Sequence, residues 1–284
     1  MSPVSTRAAR VRLDQLIVDR GLAPNRTRAQ ALLLGGRVRV GDGDAARLDR
    51  KPGDLVDGSV AIAVTEPEPY VSRGGYKLAA ALDAFGIDPA GFVCLDVGAS
   101  TGGFTDVLLQ RHAARVYALD VGRGQLAEQL RADSRVVSLE RTNARGLTSG
   151  TFPEPMRLAV IDVSFISLAR VLAPVAATLD PARGGHIVPL VKPQFEVGRG
   201  ATERGVVRDP AAHRAVLERV SGEAAEIGLA PRGVIASPIH GAEGNREFLL
   251  DLEVPRAWNG TPARIQVGWS DRLTDVAQAP EGDR

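Results

Sequence analysis

The chain is nearly free of sulfur chemistry and has no long apolar run. Its single cysteine, Cys94, sits in the strand-like stretch Phe92–Leu95, so no intrachain disulfide can form. That usage suits a reducing compartment, and Cys94 reads as core packing rather than as a nucleophile. No uncharged apolar run reaches the roughly 18 residues that a membrane span needs. The nearest approach, Val163 to Leu179, contains Arg170 and is bounded by Asp162 and Asp180. Thr6 to Arg12 is arginine-rich with no apolar segment behind it, unlike a secretory signal. A cytoplasmic protein without a membrane anchor is therefore expected. There is no Gly-Lys-Ser/Thr sequence, which argues against a P-loop nucleotidase. The four histidines, at 112, 186, 213 and 240, lack metal-ligand spacing, so no metal site is expected.

What is present divides the chain in two. At 284 residues, 44% hydrophobic and 24% charged, it has the size of two globular domains. Residues 1–51 hold ten Arg and one Lys against five Asp, a net +6. The remainder holds 24 basic and 29 acidic residues, a net −5. A basic module on a mildly acidic body points to a polyanionic partner.

Within residues 10–64, Leu13, Leu16, Ile17 and Leu22 fit a short helix ended by Gly21. Asn25 then reads as the cap of a second helix, Arg26 to Leu34, ending at Gly35-Gly36. Arg37-Val38-Arg39-Val40 alternates like a strand with a basic outer face, residues 41–44 form a turn, and residues 60–64 form a last strand. Two arginine-bearing helices and a small sheet, with Arg20-Gly21-Leu22, Arg26 and Gly36–Val40 as they stand, resemble the S-four RNA-binding domain. The resemblance implies RNA contacts by Arg20, Arg26, Arg28, Arg37 and Arg39, within a domain spanning residues 1–65. Residues 66–74 follow as a linker, which Pro67 and Pro69 make semi-rigid.

Beyond it, helix and strand alternate. Strands are expected near 92–97, 115–121, 135–140, 157–162, 186–191, 233–238 and 247–254. Helices are expected near 75–86, 103–111, 124–132, 165–178 and 210–228. This is the pattern of a mostly parallel sheet with helices on both faces. Residues 239–246 are too few for a crossover, so the last two strands should be antiparallel. Seven strands ending in an antiparallel pair resemble a class I, Rossmann-like methyltransferase, an α/β domain expected over 75–255. In the C-terminal tail, 256–284, Ala263 to Ala277 is expected as a helix and the stretch beyond Gln278 as disordered.

The chemistry gathers at the strand ends, where open α/β sheets bind ligands. Asp96-Val97-Gly98-Ala99-Ser100-Thr101-Gly102-Gly103-Phe104 is a strand, glycine turn and helix start, the opening of a nucleotide-binding unit. Asp120, at the end of the next strand, suits the two hydroxyls of a ribose, in an NAD enzyme as much as in a methyltransferase. Asp162 and Lys192 end later strands, and Glu247 begins the antiparallel one. Lys77 starts the helix that leads into the first strand, so it should reach the same edge.

The set Lys77, Asp162, Lys192 and Glu247 resembles the catalytic tetrad of FtsJ-type RNA ribose 2′-O-methyltransferases. The turn Gly98-Ala99-Ser100-Thr101-Gly102-Gly103-Phe104 is similar to that family's. Together with the S-four module, residues 10–255 resemble the TlyA family of rRNA cytidine 2′-O-methyltransferases, some of which carry a haemolysin label. The most specific stretches are Val71–Leu78, Asp96–Phe104, Glu140–Arg145, Asp162–Ser167 and Leu190–Glu196, while Tyr70-Val71 stands where the family has Trp-Val.

The resemblance implies S-adenosylmethionine held by Asp96, Gly98, Ala99, Ser100, Gly102, Gly103, Phe104, Asp120, Asn143 and Asp162. Glycines 98, 102 and 103 would border the methionine moiety, Asp120 the ribose and Asn143 the adenine. Lys192 would act as base or stabilise the alkoxide, Asp162 would orient it, and Lys77 with Glu247 would position the RNA ribose. The implied partners are ribosomal RNA or ribosomal subunits, and the free chain is expected to be monomeric. An NAD-dependent oxidoreductase with an RNA-binding appendage would need a hydride-transfer residue, and none stands out. A non-catalytic RNA-binding protein would not need the intact set of four, and a pore has neither a spanning helix nor the long alternating strands of a barrel.

Overall fold

The computed structural model describes residues 10–43, 46–65, 68–197, 205–241 and 244–279. The chain separates into two compact units, residues 1–69 and 70–284.

The first unit runs β1 (Arg10–Arg12), α1 (Leu13–Asp19), α2 (Arg26–Leu34), β2 (Val38–Val40), β3 (Leu55–Asp57) and β4 (Ile62–Val64). Its strands form two separate antiparallel ribbons, β1 with β3 and β2 with β4, rather than one small sheet. Asn25 caps α2 as expected, its side chain accepting from the Arg28 amide at 2.9 Å. Leu13, Ile17, Ala29, Leu33, Val38, Val40 and Val56 make the core. Asp14 is fully buried beneath them and ties the unit together. Its carboxylate accepts from Arg12 Nε and one terminal nitrogen of that guanidinium, from Arg26 at 3.0 Å and from Gln30 at 2.9 Å.

The second unit carries the sheet. It runs α3 (Gly74–Phe85), β5 (Val93–Val97), α4 (Gly103–Gln110), β6 (Arg115–Leu119), α5 (Glu128–Arg131), β7 (Val136–Leu139), a 3₁₀ turn (Ala144–Gly146), β8 (Leu158–Ile161), α6 (Ala169–Ala176), β9 (Gly185–Val191), α7 (Pro193–Glu196), α8 (Pro210–Glu226), β10 (Ala230–Ala236), β11 (Phe248–Val254) and α9 (Trp269–Gln278). The seven strands lie in the order β10-β11-β9-β8-β5-β6-β7. β9, β8, β5, β6 and β7 pair in parallel, and β11 is antiparallel to both its neighbours. This is the α/β, class I methyltransferase arrangement expected from the sequence.

Strands covered on both faces are apolar throughout, as Leu158–Ile161, entirely buried, illustrates. On one face α3, α4 and α5 contribute Leu78, Leu82, Phe104, Leu108 and Leu130. On the other, α6, α8 and α9 contribute Leu172, Val175, Leu217, Val220, Trp269 and Leu273. Cys94 is buried in the first cluster with its thiol pushed up to about 12 by desolvation, consistent with packing alone.

Helix α5 is shorter than the expected 124–132, and the one-turn α7, which Pro193 starts, was not expected. α9 begins only at Trp269, after Gly268 takes a left-handed conformation. Of the expected linker, residues 66 and 67 lie outside the described residues. Tyr70 and Val71 pack on the second unit, with the Val71 amide donating to Asp106 at 2.8 Å and the two rings of Tyr70 and Tyr76 edge to face. Residues 280–284, expected to be disordered, lie outside the described residues, as does residue 44 of the expected turn. Among the described residues no helix is long and apolar enough to cross a membrane.

Asp14 yields a stability prediction. The Arg12 guanidinium holds its carboxyl well below the usual carboxylate range, with Gln30 and Arg26 adding to the effect against the opposing push of burial. A depressed folded-state pKa adds stability above the unfolded value of about 4, and that stability is lost as pH falls through the folded value. Asp14→Asn should therefore weaken the first unit by about 1–3 kcal/mol at neutral pH, and by less as the pH drops below about 4. Hydrogen exchange of the α1 and α2 amides in the full chain checks it; unchanged protection at pH 7 would refute Asp14 as the unit's anchor.

Candidate active site

The carboxyl edge of the sheet collects charge in two ion pairs. The first joins Lys77 Nζ of α3 to Glu247 Oε2, just before β11. Both are buried, with 10% and 2% of their side chains exposed. The second joins Lys192 Nζ, at the N-cap of α7, to Asp162 Oδ1 after β8, at 2.6 Å. The same ammonium donates to Ser164 Oγ at 2.9 Å.

Sheet register explains why the pairs are neighbours. Phe248 lies opposite Val191 in the antiparallel β11–β9 ladder, so one step further Glu247 lies opposite Lys192. Ile161 pairs with Pro189 in the parallel β8–β9 ladder, which brings Asp162 to the same edge. An antiparallel strand starts where its parallel neighbours end, and that places a carboxylate from late in the chain among residues from its middle.

Beside this edge lies a cleft of about 520 Å³. Its walls include Gly98, Ser100, Asp120, Asn143 and Asp162 from the expected set. They also include Val121, Gln125, Arg145, Val163, Ser164, Phe165 and Ile166, to which the sequence reading gave no role. Asp120 is held by two amides, accepting from Ser100 N at 2.8 Å and Gly122 N at 2.7 Å. Each of its oxygens keeps a lone pair for a further donor. Asn143 accepts from the Arg145 amide at 3.0 Å and so caps the 3₁₀ turn at the cleft wall.

Phe165 is the most exposed aromatic of the site, at 89%, on a backbone with φ +63°. Its ring packs against that of Phe195 at 4.8 Å between centroids, tilted by 49°. A positive φ on a bulky residue is strained, and strain of this kind clusters at functional sites. No periodicity in the sequence could have signalled it.

Other expected cofactor residues do not line the cleft. Gly102 has φ +98°, and a side chain there would meet Leu130 Cδ1 at 2.2 Å. At Gly103 a Cβ would meet Ser72 Oγ at 2.3 Å. These two glycines serve close packing of α4 against α5 and the start of α3, rather than forming a cleft wall. Phe104 is buried in the core behind them, and Ala99 faces a small pocket on the other side of Asp120.

Asp96 is fully buried, with Thr105 Oγ1 donating to its Oδ2 at 2.7 Å. Its Oδ1 has no hydrogen-bond partner. Desolvation pushes its carboxyl up to about 7; the Thr105 bond opposes this, and the charges of Asp162 and Asp120 add to it. Burial thus drives this carboxyl, behind the turn, toward its neutral form.

A second cavity, about 530 Å³, lies at the opposite edge among Phe152, Glu154, Asp180 and Trp258. Its Glu154 already accepts from Arg115 and Tyr117 through Oε1, and ligands of open α/β sheets bind at the other edge.

Of the five arginines expected on RNA, two make internal bonds. Arg20 donates to Val60 O at 2.6 Å and Gly58 O at 2.7 Å, and Arg26 pairs with Asp14. Arg28 and Arg39 are exposed and Arg37 is half-buried.

Comparison with known proteins agrees with this geometry. Residues 70–253 match the FtsJ-like methyltransferase family, and residues 11–43 match the S4 domain. The chain is 50% identical over 248 residues to the 16S/23S rRNA (cytidine-2′-O)-methyltransferase TlyA of Mycobacterium tuberculosis, covering 86% of this chain and 90% of that one. It is 38% identical over 241 residues to Hemolysin A of Brachyspira hyodysenteriae, covering 84% and 98%. A solved structure from Streptococcus thermophilus with a provisional hemolysin label superposes with a TM-score of 0.68 at 40% identity, covering 94% of this chain and 95% of that one.

The turn at Gly98 carries a prediction. Its φ is +84°, and a Cβ would lie 2.3 Å from the carbonyl oxygen of Asp162, which is backbone and cannot swing aside. Gly98→Ala should destabilise the protein by about 1–3 kcal/mol through strain and overpacking together. Gly124→Ala is the control, since its φ is +66° but nothing lies within 4 Å. Equal midpoint shifts for the two in chemical denaturation would show that the Asp162 carbonyl is not the constraint.

Proposed function

The chain belongs to the TlyA family of FtsJ-like methyltransferases, and we propose that it transfers the methyl group of S-adenosylmethionine to a ribose 2′-hydroxyl of ribosomal RNA, a cytidine, in the cytoplasm. The observation that carries this reading is the Lys192–Asp162 pair at 2.6 Å, with Asp162 itself in the cleft wall. It sets an ammonium against the place where a methyl donor would lie.

The cleft fits such a donor. Asp120 offers acceptors to a ribose diol, Val121 and Ile166 offer apolar surface to an adenine, and Asn143 stands at the same wall. The carboxylates of Asp120 and Asp162 in the cleft wall favour a cation. S-adenosylmethionine supplies, when bound, a methyl group on a positively charged sulfur.

The protein's part is proton handling and placement. A ribose hydroxyl is a poor nucleophile until its proton is removed or its developing negative charge is met by a cation. Lys192 Nζ serves that need, held by Asp162 and Ser164. Lys77 and Glu247, locked to each other, fix the ribose from the neighbouring strand end. Holding the hydroxyl in line supplies a large share of the rate. The exposed face of Phe165 offers a surface on which the target base can stack once it leaves its helix. The basic first unit supplies sequence-independent affinity for the RNA backbone.

Lys192→Ala should abolish methylation and leave cofactor affinity nearly intact. Single-turnover rates on ribosomal subunits, with calorimetry for S-adenosylmethionine, test the split, and a rate within a few-fold of wild type would remove Lys192 from the mechanism.

Arg28→Ala and Arg39→Ala should each weaken RNA binding and flatten its log–log salt dependence by about one unit for duplex contacts. Arg26→Ala should instead lower the stability of the first unit, since it leaves Asp14 short of a partner. Fluorescence anisotropy of the full chain with ribosomal RNA across salt concentrations distinguishes the two classes. Salt slopes unchanged in both exposed variants would place the RNA surface elsewhere.

A further inference from the structure

Two side chains of α7 and that of its N-cap residue face one loop. Lys192, Phe195 and Glu196 are spaced i, i+3 and i+4, the spacing that lines up side chains on one side of a helical turn. Each reaches the segment between β8 and α6. Lys192 meets Asp162 and Ser164, and Phe195 meets Phe165. Glu196 meets Ser167 and Leu168: its Oε1 accepts from the Leu168 amide at 2.8 Å and its Oε2 from Ser167 Oγ at 3.0 Å.

Glu196 differs from the other two in being sealed off. Its side chain is 2% exposed, although it is a carboxylate. It is anchored from a third element, where Arg219 of α8 donates to Oε2 at 2.7 Å and to the Glu196 carbonyl at 2.8 Å. A buried carboxylate with donors from two separate segments is hard to displace, because losing Arg219 leaves its charge without compensation and losing the loop donors leaves it short of hydrogen bonds. Leu168 is the N-cap residue of α6 and supplies no side-chain cap, so the Glu196 carboxylate also takes an amide there that would otherwise be orphaned.

We propose that Glu196 is a positioning residue for methyl transfer: it clamps the Asp162–Leu168 segment to α7 and thereby fixes the distance and angle of Lys192 against Asp162. The inference rests on the reading of Lys192 and Asp162 given above. Glu196 itself is buried and does not line the cleft. It acts through the two segments it joins, and it has this leverage because Lys192 is the N-cap residue of the same short helix. Misplacement by about 1 Å can cost about a hundredfold in rate when catalysis depends on orientation. Residues 162–166 of the clamped segment line one side of the cleft, but Gly98, Asp120 and Asn143 on its other walls belong to other segments, so cofactor binding should suffer less than the rate.

The test measures single-turnover methylation of unmethylated ribosomal subunits with tritiated S-adenosylmethionine, and cofactor affinity by calorimetry, on full-length Glu196→Ala, Glu196→Gln and Ser167→Ala. Rates are taken well below each variant's melting midpoint, so that lost stability does not pass for lost catalysis. Glu196→Ala should slow the rate by about a hundredfold while affinity changes by no more than about fivefold. Glu196→Gln, which keeps an acceptor for the Leu168 amide, should fall between it and wild type. Ser167→Ala should slow the rate several-fold with affinity unchanged, and with Glu196→Gln it carries the test if Glu196→Ala does not fold. A folded Glu196 variant within threefold of the wild-type rate, or an affinity loss as large as the rate loss, overturns the proposal. Lys192→Ala runs alongside: if it is inactive while the Glu196 variants are not, this inference alone fails, and if it is active the reading of the site fails.

Discussion

A lysine ammonium taken out of water must have a carboxylate beside it, and the second unit is built around two such obligations. Lys77 and Glu247 meet one of them almost entirely away from solvent, and Lys192 and Asp162 meet the other at the cleft. Neither pair is local. Each partner sits on a different element, so the pairs are satisfied only when α3, β8, β9 and β11 are all seated in the sheet. Breaking a buried pair typically costs far more than an exposed one contributes, because the remaining charge has no water to turn to. The sheet edge is thus constrained by electrostatics as much as by apolar packing, and the chemistry the site can perform is set by the same constraint.

The apolar core does a different job. It fixes the sheet order, and the order decides which ends meet. An antiparallel β11 between β10 and β9 turns the beginning of one strand into a neighbour of the ends of others. Reversing that one strand would move Glu247 to the far edge, and Lys77 would lose its partner. The glycine turn after β5 belongs to the same logic. Gly98 lets the backbone pass the Asp162 carbonyl, and Gly102 and Gly103 let α4 lie close to Leu130 and Ser72. One short motif thereby meets two demands, of which only the first concerns the ligand cleft.

Much of this was legible in the residues. Strands with both faces covered, such as Leu158–Ile161, announce themselves as continuous apolar runs, and Asp162, Lys192 and Glu247 stand out because charge interrupts those runs at their ends. What stayed hidden was whatever depends on a partner distant in sequence. β1 and β3 are three residues long with one core-facing valine each, too little for a periodicity to show. Arg20 and Arg26 look like surface charge until Gly58, Val60 and Asp14 are brought beside them. Glu196 reads as an ordinary helix-end acid until Arg219 and Leu168 close over it. Phe165 gave no warning, because its exposure and positive φ are properties of a loop and loops carry no repeat.

The Lys77–Glu247 pair spans 170 positions of chain. During synthesis the lysine leaves the ribosome long before its carboxylate does. Until β11 arrives, α3 carries an ammonium that cannot be buried without a counterion, so the helix has reason to stay loosely docked on a half-made sheet. The two halves of the body are therefore joined by a late electrostatic latch. A nascent chain of this protein holds the glycine turn, the cleft walls and Lys192 before it holds a finished active centre, and truncation before residue 247 leaves the latch open however well the earlier strands have folded.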